Sequence, residues 1–280
     1  MNPLVVGEIG INHRGDVKIA KALIGTCKAF GLDYVKFQKR TVNRVYSKHV
    51  LLSGKQTPYG DTKLHDKLGL EFDHEDYVEI DRFCKTIGMP WFASPWDVES
   101  VDFLEGFDPP YHKIASACAY NDELVDKLVA TKRPLILSIG MHKEKEIPAV
   151  IKRANSGGTL KYVMLCSSVY PTPDNKTNLL GLQTLAGMLK KTNVQLGYSH
   201  HSQRVLQMPV AYALGAAALE FHVTLDKCFG GDDQMASVGP GGVKKLMEHL
   251  EVVRASMGAG RLGPSEAALA KLSQYEWVEE

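Results

Sequence analysis

The chain has 280 residues, 44% of them hydrophobic and 23% charged, a balance close to that of ordinary globular proteins, which excludes the disordered and fibrous classes. The formal charge is +1, which argues against an electrostatic nucleic-acid binder, because such proteins carry a basic excess or stripe. No apolar run approaches the roughly 20 residues of a membrane span. The opening MNPLVVGEIGINHRG has neither a positive n-region nor a small-residue cleavage site, so the reading is a cytoplasmic protein without membrane contact.

Short β-rich runs alternate with amphipathic stretches. The runs are LVVGEIG (4–10), YVKFQ (34–38), WFASPW (91–96), YHKIAS (111–116), PLILSIG (134–140), KYVMLCSS (161–168), VQLGYS (194–199) and ALEFHVT (218–224). Helical patterning covers 16–30, 73–88, 98–106, 121–131, 143–153, 178–191, 203–215 and 240–257. Eight strand–helix units of this length predict an α/β fold, a (β/α)8 TIM barrel as one domain over 1–262, with a doubly wound sheet as the alternative. The connection 39–72 reads as one long loop, and long loops in compact domains are usually functional or mobile. Residues 263–280 read as a tail with a short helix and a frayed end. The five cysteines, Cys27, Cys84, Cys118, Cys166 and Cys228, are odd in number and widely spaced, which predicts reduced thiols.

Buried parallel strands normally read as continuous Val, Ile and Leu. Here polar residues stand near their C-terminal ends: Glu8, Lys36 and Gln38, Ser94, Lys113, Ser138, Ser168, Ser199 and His201, and Glu220 and His222. Side chains alternate across a strand, so Lys36 and Gln38 share a face with Tyr34, Ser199 and His201 share one with Gly197, and Glu220, His222 and Thr224 share another. Ser116 has the opposite parity to Lys113, so a turn must reorient it. The bland account is internal ion pairing, Lys36 with Glu8 for example. The functional account is a site at the C-terminal rim, where barrel enzymes place their chemistry.

Two inward imidazoles on neighbouring strands, His201 and His222, can reach one ion at about 2.0–2.2 Å, a pair suited to Mn, Fe, Co or Zn. His200 alternates away. Asp233, in GGDDQMAS, can supply or organise a further oxygen. Lys36 and Lys113, with Ser94, Ser116, Ser138 and Ser199 around them, predict a pocket for a small dianion such as a phosphate ester with a carboxylate. No P-loop or Rossmann fingerprint follows a strand, and no nucleophile elbow is present.

GEIGINHRGD (7–16), VKFQ (35–38), FASPWD (92–97), HKIAS (112–116), LSIGM (137–141), CSSVYPTP (166–173), GYSHHS (197–202) and FHVTLD (221–226) together resemble the bacterial sialic acid (N-acetylneuraminate) synthase family, in the family's order. The resemblance implies a TIM barrel that condenses phosphoenolpyruvate with the open-chain aldehyde of an N-acetylmannosamine-like sugar, releasing phosphate. It implies a divalent metal, Mn, with Mg or Co as alternatives, on His201 and His222. It places Lys36, Ser94, Lys113, Ser116, Ser138, Ser168 and Ser199 on phosphoenolpyruvate, with Ser168 standing where the family often has Asn. It places Gln38 and Tyr170 on the sugar, and Glu8 and Asp233 at the reacting centre.

The chain ends near residue 280, so the family's C-terminal antifreeze-like domain, which caps the partner subunit's site, is not expected. Closure is then expected from 39–72, from a partner subunit in a homodimer, or from a separate protein. The family often has Glu where Cys118 stands, Asp for His200 and a basic residue for Phe221. Lys39, Arg40 and Arg44 keep open a phosphorylated acceptor and an octulosonate product, although an exposed loop face is the commoner explanation for such a cluster. A silent sugar- or anion-binding barrel is the third reading.

Overall fold

Each of the eight β-rich runs forms a strand that is followed by a helix. The computed structural model describes residues 2–272 and 274–275; the remainder of the tail expected over 263–280 lies outside them. The barrel strands are β1 (Leu4–Gly10), β2 (Tyr34–Lys39), β5 (Trp91–Pro95), β6 (His112–Ile114), β7 (Leu135–Ser138), β8 (Leu160–Cys166), β9 (Gln195–His200) and β10 (Ala218–His222). They close in the order β1-β10-β9-β8-β7-β6-β5-β2, and every neighbouring pair is parallel. The TIM barrel expectation is therefore met, and the doubly wound alternative is excluded by the closure of β1 on β10.

Local chemistry sets the helix boundaries. Asp16 caps Val17–Ala29 by accepting from Lys18 N–H. Asp73 and Asp76 form a capping box on His74–Ile87, which ends at Gly88 in the left-handed conformation with φ of 65°. Asp97 caps Val98–Glu105, and Asn121 caps Asp122–Ala130. Such caps satisfy the amide donors that the first turn of a helix leaves over. The stretch expected as a helix from 143 begins as a 3-10 turn at Glu144–Glu146 and becomes α-helical only over Ile147–Ala154, with Pro in its first turn, where a missing N–H does no harm. Gly181–Leu189, Gln207–Ala213 and Pro240–Ser256 complete the outer ring. Glu266–Leu272 is the short helix of the tail. Among the described residues, no helix is long and apolar enough to cross a membrane.

Two expectations need correction. The segment 39–72 is not a plain loop. It holds two short helices (Val42–Val45 and Lys48–Leu51), an antiparallel hairpin of β3 (Gly54–Thr57) and β4 (Gly60–Thr62), and the helix Lys63–Leu70. These elements are too short for periodicity to register. They are set by point chemistry: Ser47 and Thr62 cap the helices, and Gly60 turns the hairpin at φ of 146°. The strand expected at 111–116 is only His112–Ile114. Cys118 N–H donates to Ala115 O at 2.9 Å, so the chain has left the ladder and turned by Ser116, as its parity required.

The barrel interior has two tiers. At the N-terminal ends of the strands, Val6, Phe92, Ile136, Met164 and Ala218 pack into an apolar floor. Two residues further along five of the strands, with the same parity, come Glu8, Ser94, Ser138, Cys166 and Glu220, all at the mouth. The larger core lies between strands and helices. Gly7 belongs to that layer: a Cβ there would lie 2.8 Å from Cys27 Sγ and 2.9 Å from Leu32 Cδ2. Gly7→Ala should therefore destabilise the fold by about 1–3 kcal/mol through overpacking. Chemical denaturation measures this, and an unchanged midpoint would contradict the close approach.

Candidate active site

The C-terminal mouth of the barrel holds a polar cavity. Twelve of the thirteen residues singled out from the sequence line it: Glu8, Lys36, Gln38, Ser94, Lys113, Ser116, Ser138, Ser168, Tyr170, Ser199, His201 and His222. Asp233 stands just beside it, its Oδ2 3.6 Å from His222 Nδ1. Strand register explains the convergence. Glu8 is level with Lys36 on one side and with His222 on the other, and Glu220 is level with Ser199. Gly10, at φ of +54°, marks the point where Glu8, Gln38 and Asp233 meet: a Cβ there would lie 3.1, 3.2 and 3.3 Å from their polar atoms.

The two lysines are each 3% exposed, and neither is unopposed. Lys36 Nζ lies 2.7 Å from Glu8 Oε2 and 3.9 Å from Glu220 Oε1, and donates to Ser94 Oγ at 3.0 Å. Lys113 Nζ is 3.0 Å from both oxygens of Glu220. The internal pairing of Lys36 with Glu8 is thus present within the same cavity as the lysines and serines. With Asp233, three carboxylates face two ammonium groups. Burial works against the charged form of Lys36, but Glu220 and Glu8 outweigh it and raise its pKa. Burial likewise opposes ionisation of Glu220, yet Lys113 and Lys36 hold its pKa down to about 2. An ammonium has three donors, so each lysine keeps hydrogen-bonding capacity for a ligand. The buried hydroxyl of Ser138 makes no hydrogen bond, and Ser116 Oγ accepts from Met141 N–H at 2.6 Å.

His201 Nδ1 lies 2.6 Å from the carbonyl of Ser167. A carbonyl only accepts, so Nδ1 carries the proton and Nε2 keeps its lone pair, toward which the Tyr170 hydroxyl points at 3.0 Å. Burial, and next the neighbouring His222, lower the His201 pKa to about 3, so the ring is neutral at ordinary pH. The two imidazole centroids are 5.5 Å apart. Rings binding one ion through nitrogens at about 2.0–2.1 Å have centroids roughly 5 Å apart, so the pair fits two positions of a divalent ion. His222 Nδ1 is buried and has no hydrogen-bond partner. Among the described residues, no group of three or more His, Cys, Asp or Glu side chains is arranged around one point for an ion. His200 turns away, as its parity required, toward Tyr198.

The sequence pattern of the NeuB family matches residues 23–262. The chain belongs to the NeuB family. It is 31% identical to the N-acetylneuraminate-9-phosphate synthase of Mus musculus over 264 residues, 91% of this chain and 71% of that protein. It is 30% identical to the N,N'-diacetyllegionaminic acid synthase of Legionella pneumophila over 277 residues, 96% and 77% of the two chains. The crystal structure of the N-acetylneuraminic acid synthetase of Leptospira borgpetersenii in complex with citrate superimposes with a TM-score of 0.85 at 25% identity, covering 98% of this chain and 91% of that one. The protein is thus an enzyme of the sialic acid synthase kind, a phosphoenolpyruvate-dependent transferase.

Several residues of this NeuB-family site escaped the sequence reading. Glu220 shares the inward face of its strand with His222, and its partner Lys113 comes from a distant strand; the signal in the sequence is an acidic residue inside ALEFH. In the sequence Arg40 belongs to a basic cluster with Lys39 and Arg44. Its guanidinium is instead buried over the Trp96 ring, 4.5 Å from the centroid, and is bound to Gln38 and Glu71. Lys39 donates to Phe72 O at 2.7 Å, and exposed Arg44 pairs with Glu99 at 2.9 Å. Gln38 spans Arg40 and Glu8, donating to Glu8 Oε1 at 2.6 Å. Cys118 lines an adjoining groove with Arg44 and Asn121, joined to the cavity through Trp96 and Ala117. Burial pushes its pKa up to about 12, so it is a neutral thiol.

Glu220→Gln should cost about 3–5 kcal/mol of stability, because it leaves Lys113 a buried charge without its counter-ion. The Glu220 pKa falls from 4.5 to about 2 on folding, so its contribution is complete above pH 4.5 and vanishes as pH falls through about 2. Denaturation of both proteins as a function of pH should show a gap that closes in that window; a gap independent of pH would contradict the ion pair.

Proposed function

We propose that the enzyme joins C3 of phosphoenolpyruvate to the open-chain aldehyde of an N-acylated hexosamine, N-acetylmannosamine-like, giving a nonulosonic acid and phosphate with a divalent ion, Mn foremost, at His201 and His222. The observation that carries this reading is the convergence of two buried lysines, a ring of serines and two buried imidazoles on one cavity in a chain of this family. Lys36 and Lys113 offer their remaining N–H donors to the phosphate and carboxylate of phosphoenolpyruvate. Ser94, Ser116, Ser138, Ser168 and Ser199 supply further hydrogen bonds around it, and the unpartnered Ser138 hydroxyl has its donor free. Held this way, the enol carbon meets the aldehyde without a search through orientations.

The charge balance supports the ion. Three carboxylates against two lysines leave a formal excess of one negative charge before any substrate enters, and phosphoenolpyruvate adds more. His201 presents an Nε2 lone pair fixed by the Ser167 carbonyl, the usual way a protein orients a ligating imidazole. When bound, the ion would hold the aldehyde oxygen and offset the charge that develops there. Tyr170 closes the sugar side of the cavity. Glu8 Oε2 and Asp233 Oδ2 are the bases placed to hold the water that adds at C2 and to take its proton. C–O cleavage then releases phosphate. The basic cluster that kept a phosphorylated acceptor open is consumed in internal pairs by Lys39, Arg40 and Arg44, which favours an uncharged sugar.

Purified protein with Mn, phosphoenolpyruvate and a panel of N-acylated hexosamines and sugar phosphates should release phosphate and a keto-deoxy acid with an unphosphorylated hexosamine. Folded, metal-loaded protein that turns over no aldose would overturn the reading. His222→Ala should lower kcat roughly 100-fold, the equivalent of losing a few kcal/mol of charge stabilisation, and should weaken Mn binding measured by calorimetry. Lys113→Met should act mainly on the KM for phosphoenolpyruvate.

A further inference from the structure

The segment between β2 and β5 is tied to the loop after β10 by four charges. Lys55, on β3, lies 2.8 Å from Asp66 Oδ2 and 2.9 Å from Asp232 Oδ1. Lys67 lies 3.1 Å from Asp232 Oδ2 and 3.5 Å from Asp66 Oδ2. Both oxygens of Asp232 are therefore held by lysines of the insertion, and buried Asp66 anchors those lysines from behind. The insertion is itself seated on the barrel: Tyr59 OH donates to Arg14 O at 2.7 Å.

Asp232 is the residue before Asp233. On its other side stand Gly230 and Gly231, at φ of 72° and 125°, backbone that is free to pivot. Beyond Asp233 the chain is firmly held. Ser237 Oγ donates to Asp233 O at 2.6 Å, Asn12 donates to Ser237 Oγ at 2.7 Å, and buried Gln234 accepts from Thr224. The Asp233 carboxylate thus hangs between a pinned C-terminal side and a glycine pivot; on the pivot side Asp232 makes the ion pairs, and the Arg14 guanidinium lies 5.6 Å from the centroid of the Phe229 ring.

We propose that Lys55 and Lys67 are positioning residues for Asp233. By holding both oxygens of Asp232 they stop the loop after β10 from swinging, and so keep the Asp233 carboxylate beside His222 and opposite Glu8. The insertion, far along the chain from β10, becomes part of the catalytic geometry through Asp232. The consequence for turnover rests on the role assigned to Asp233 above; the mechanical coupling does not.

The test is Lys55→Met with Lys67→Met in the full chain, read by hydrogen exchange and by kinetics. Exchange at 226–237 should rise roughly tenfold as the loop is released. The kcat should fall roughly tenfold through misplacement of a reacting group, while the KM for phosphoenolpyruvate, bound by Lys36 and Lys113, stays unchanged. The Lys55→Arg, Lys67→Arg pair keeps both charges and should restore kcat and protection together. Asp232→Asn, altered at a half-exposed side chain, repeats the test without touching the insertion. Unchanged exchange at 226–237 overturns the proposal, as does a loss that the arginine pair fails to rescue. If the wild-type enzyme turns over no acceptor, the proposed function falls, and the exchange data alone decide the coupling.

Discussion

A carboxylate buried between two ammonium groups is the interaction on which the site depends. Glu220 sits bidentate on Lys113 and within 3.9 Å of Lys36, which is itself 2.7 Å from Glu8. None of these charges could be buried alone, since desolvating an isolated ion costs several kcal/mol. Together they form a chain that continues through Gln38 to Arg40 and Glu71. Because every member has a partner, every side chain is held in one orientation. A network of this kind is a preorganised dipole array, and it lies in a region of low dielectric where its fields act strongly.

The array needs a foundation that excludes water from below. The apolar floor of Val6, Phe92, Ile136, Met164 and Ala218 supplies it. The same strands carry both tiers, so stability and chemistry are separated along the barrel axis and share each strand. This division is general among barrels, where the C-terminal face carries reactivity and the opposite end carries stability. Here it is visible within single strands: Val6 then Glu8, Phe92 then Ser94, Ile136 then Ser138.

The insertion after β2 adds a third level. Its short helices and hairpin bury little of their own, and its order comes from caps, a glycine turn and ion pairs. Segments of that kind have low local stability and are where binding and gating are usually found. In this chain the insertion reaches the loop that bears Asp233, so one side of the mouth is braced by charge where the rest is braced by strands.

What the sequence determined by itself was everything governed by short-range order. Eight strands, their helices and the inward face of each polar residue followed from alternation and capping, because period and parity are local properties of the backbone. From them the histidine pair, the lysines and the serines were legible. Apart from Lys36 with Glu8, the partners were not. Glu8 and His222 are level with each other only because the first strand pairs with the last, and no local rule states that Lys113 will meet Glu220 or that Arg40 will turn inward onto Trp96. The insertion was illegible for a different reason: its elements span three to eight residues, too few for a period to emerge. Closure of the barrel decided which charges neutralise which, because Coulomb pairing depends on distance in space, and distance along the chain carries almost no information about it.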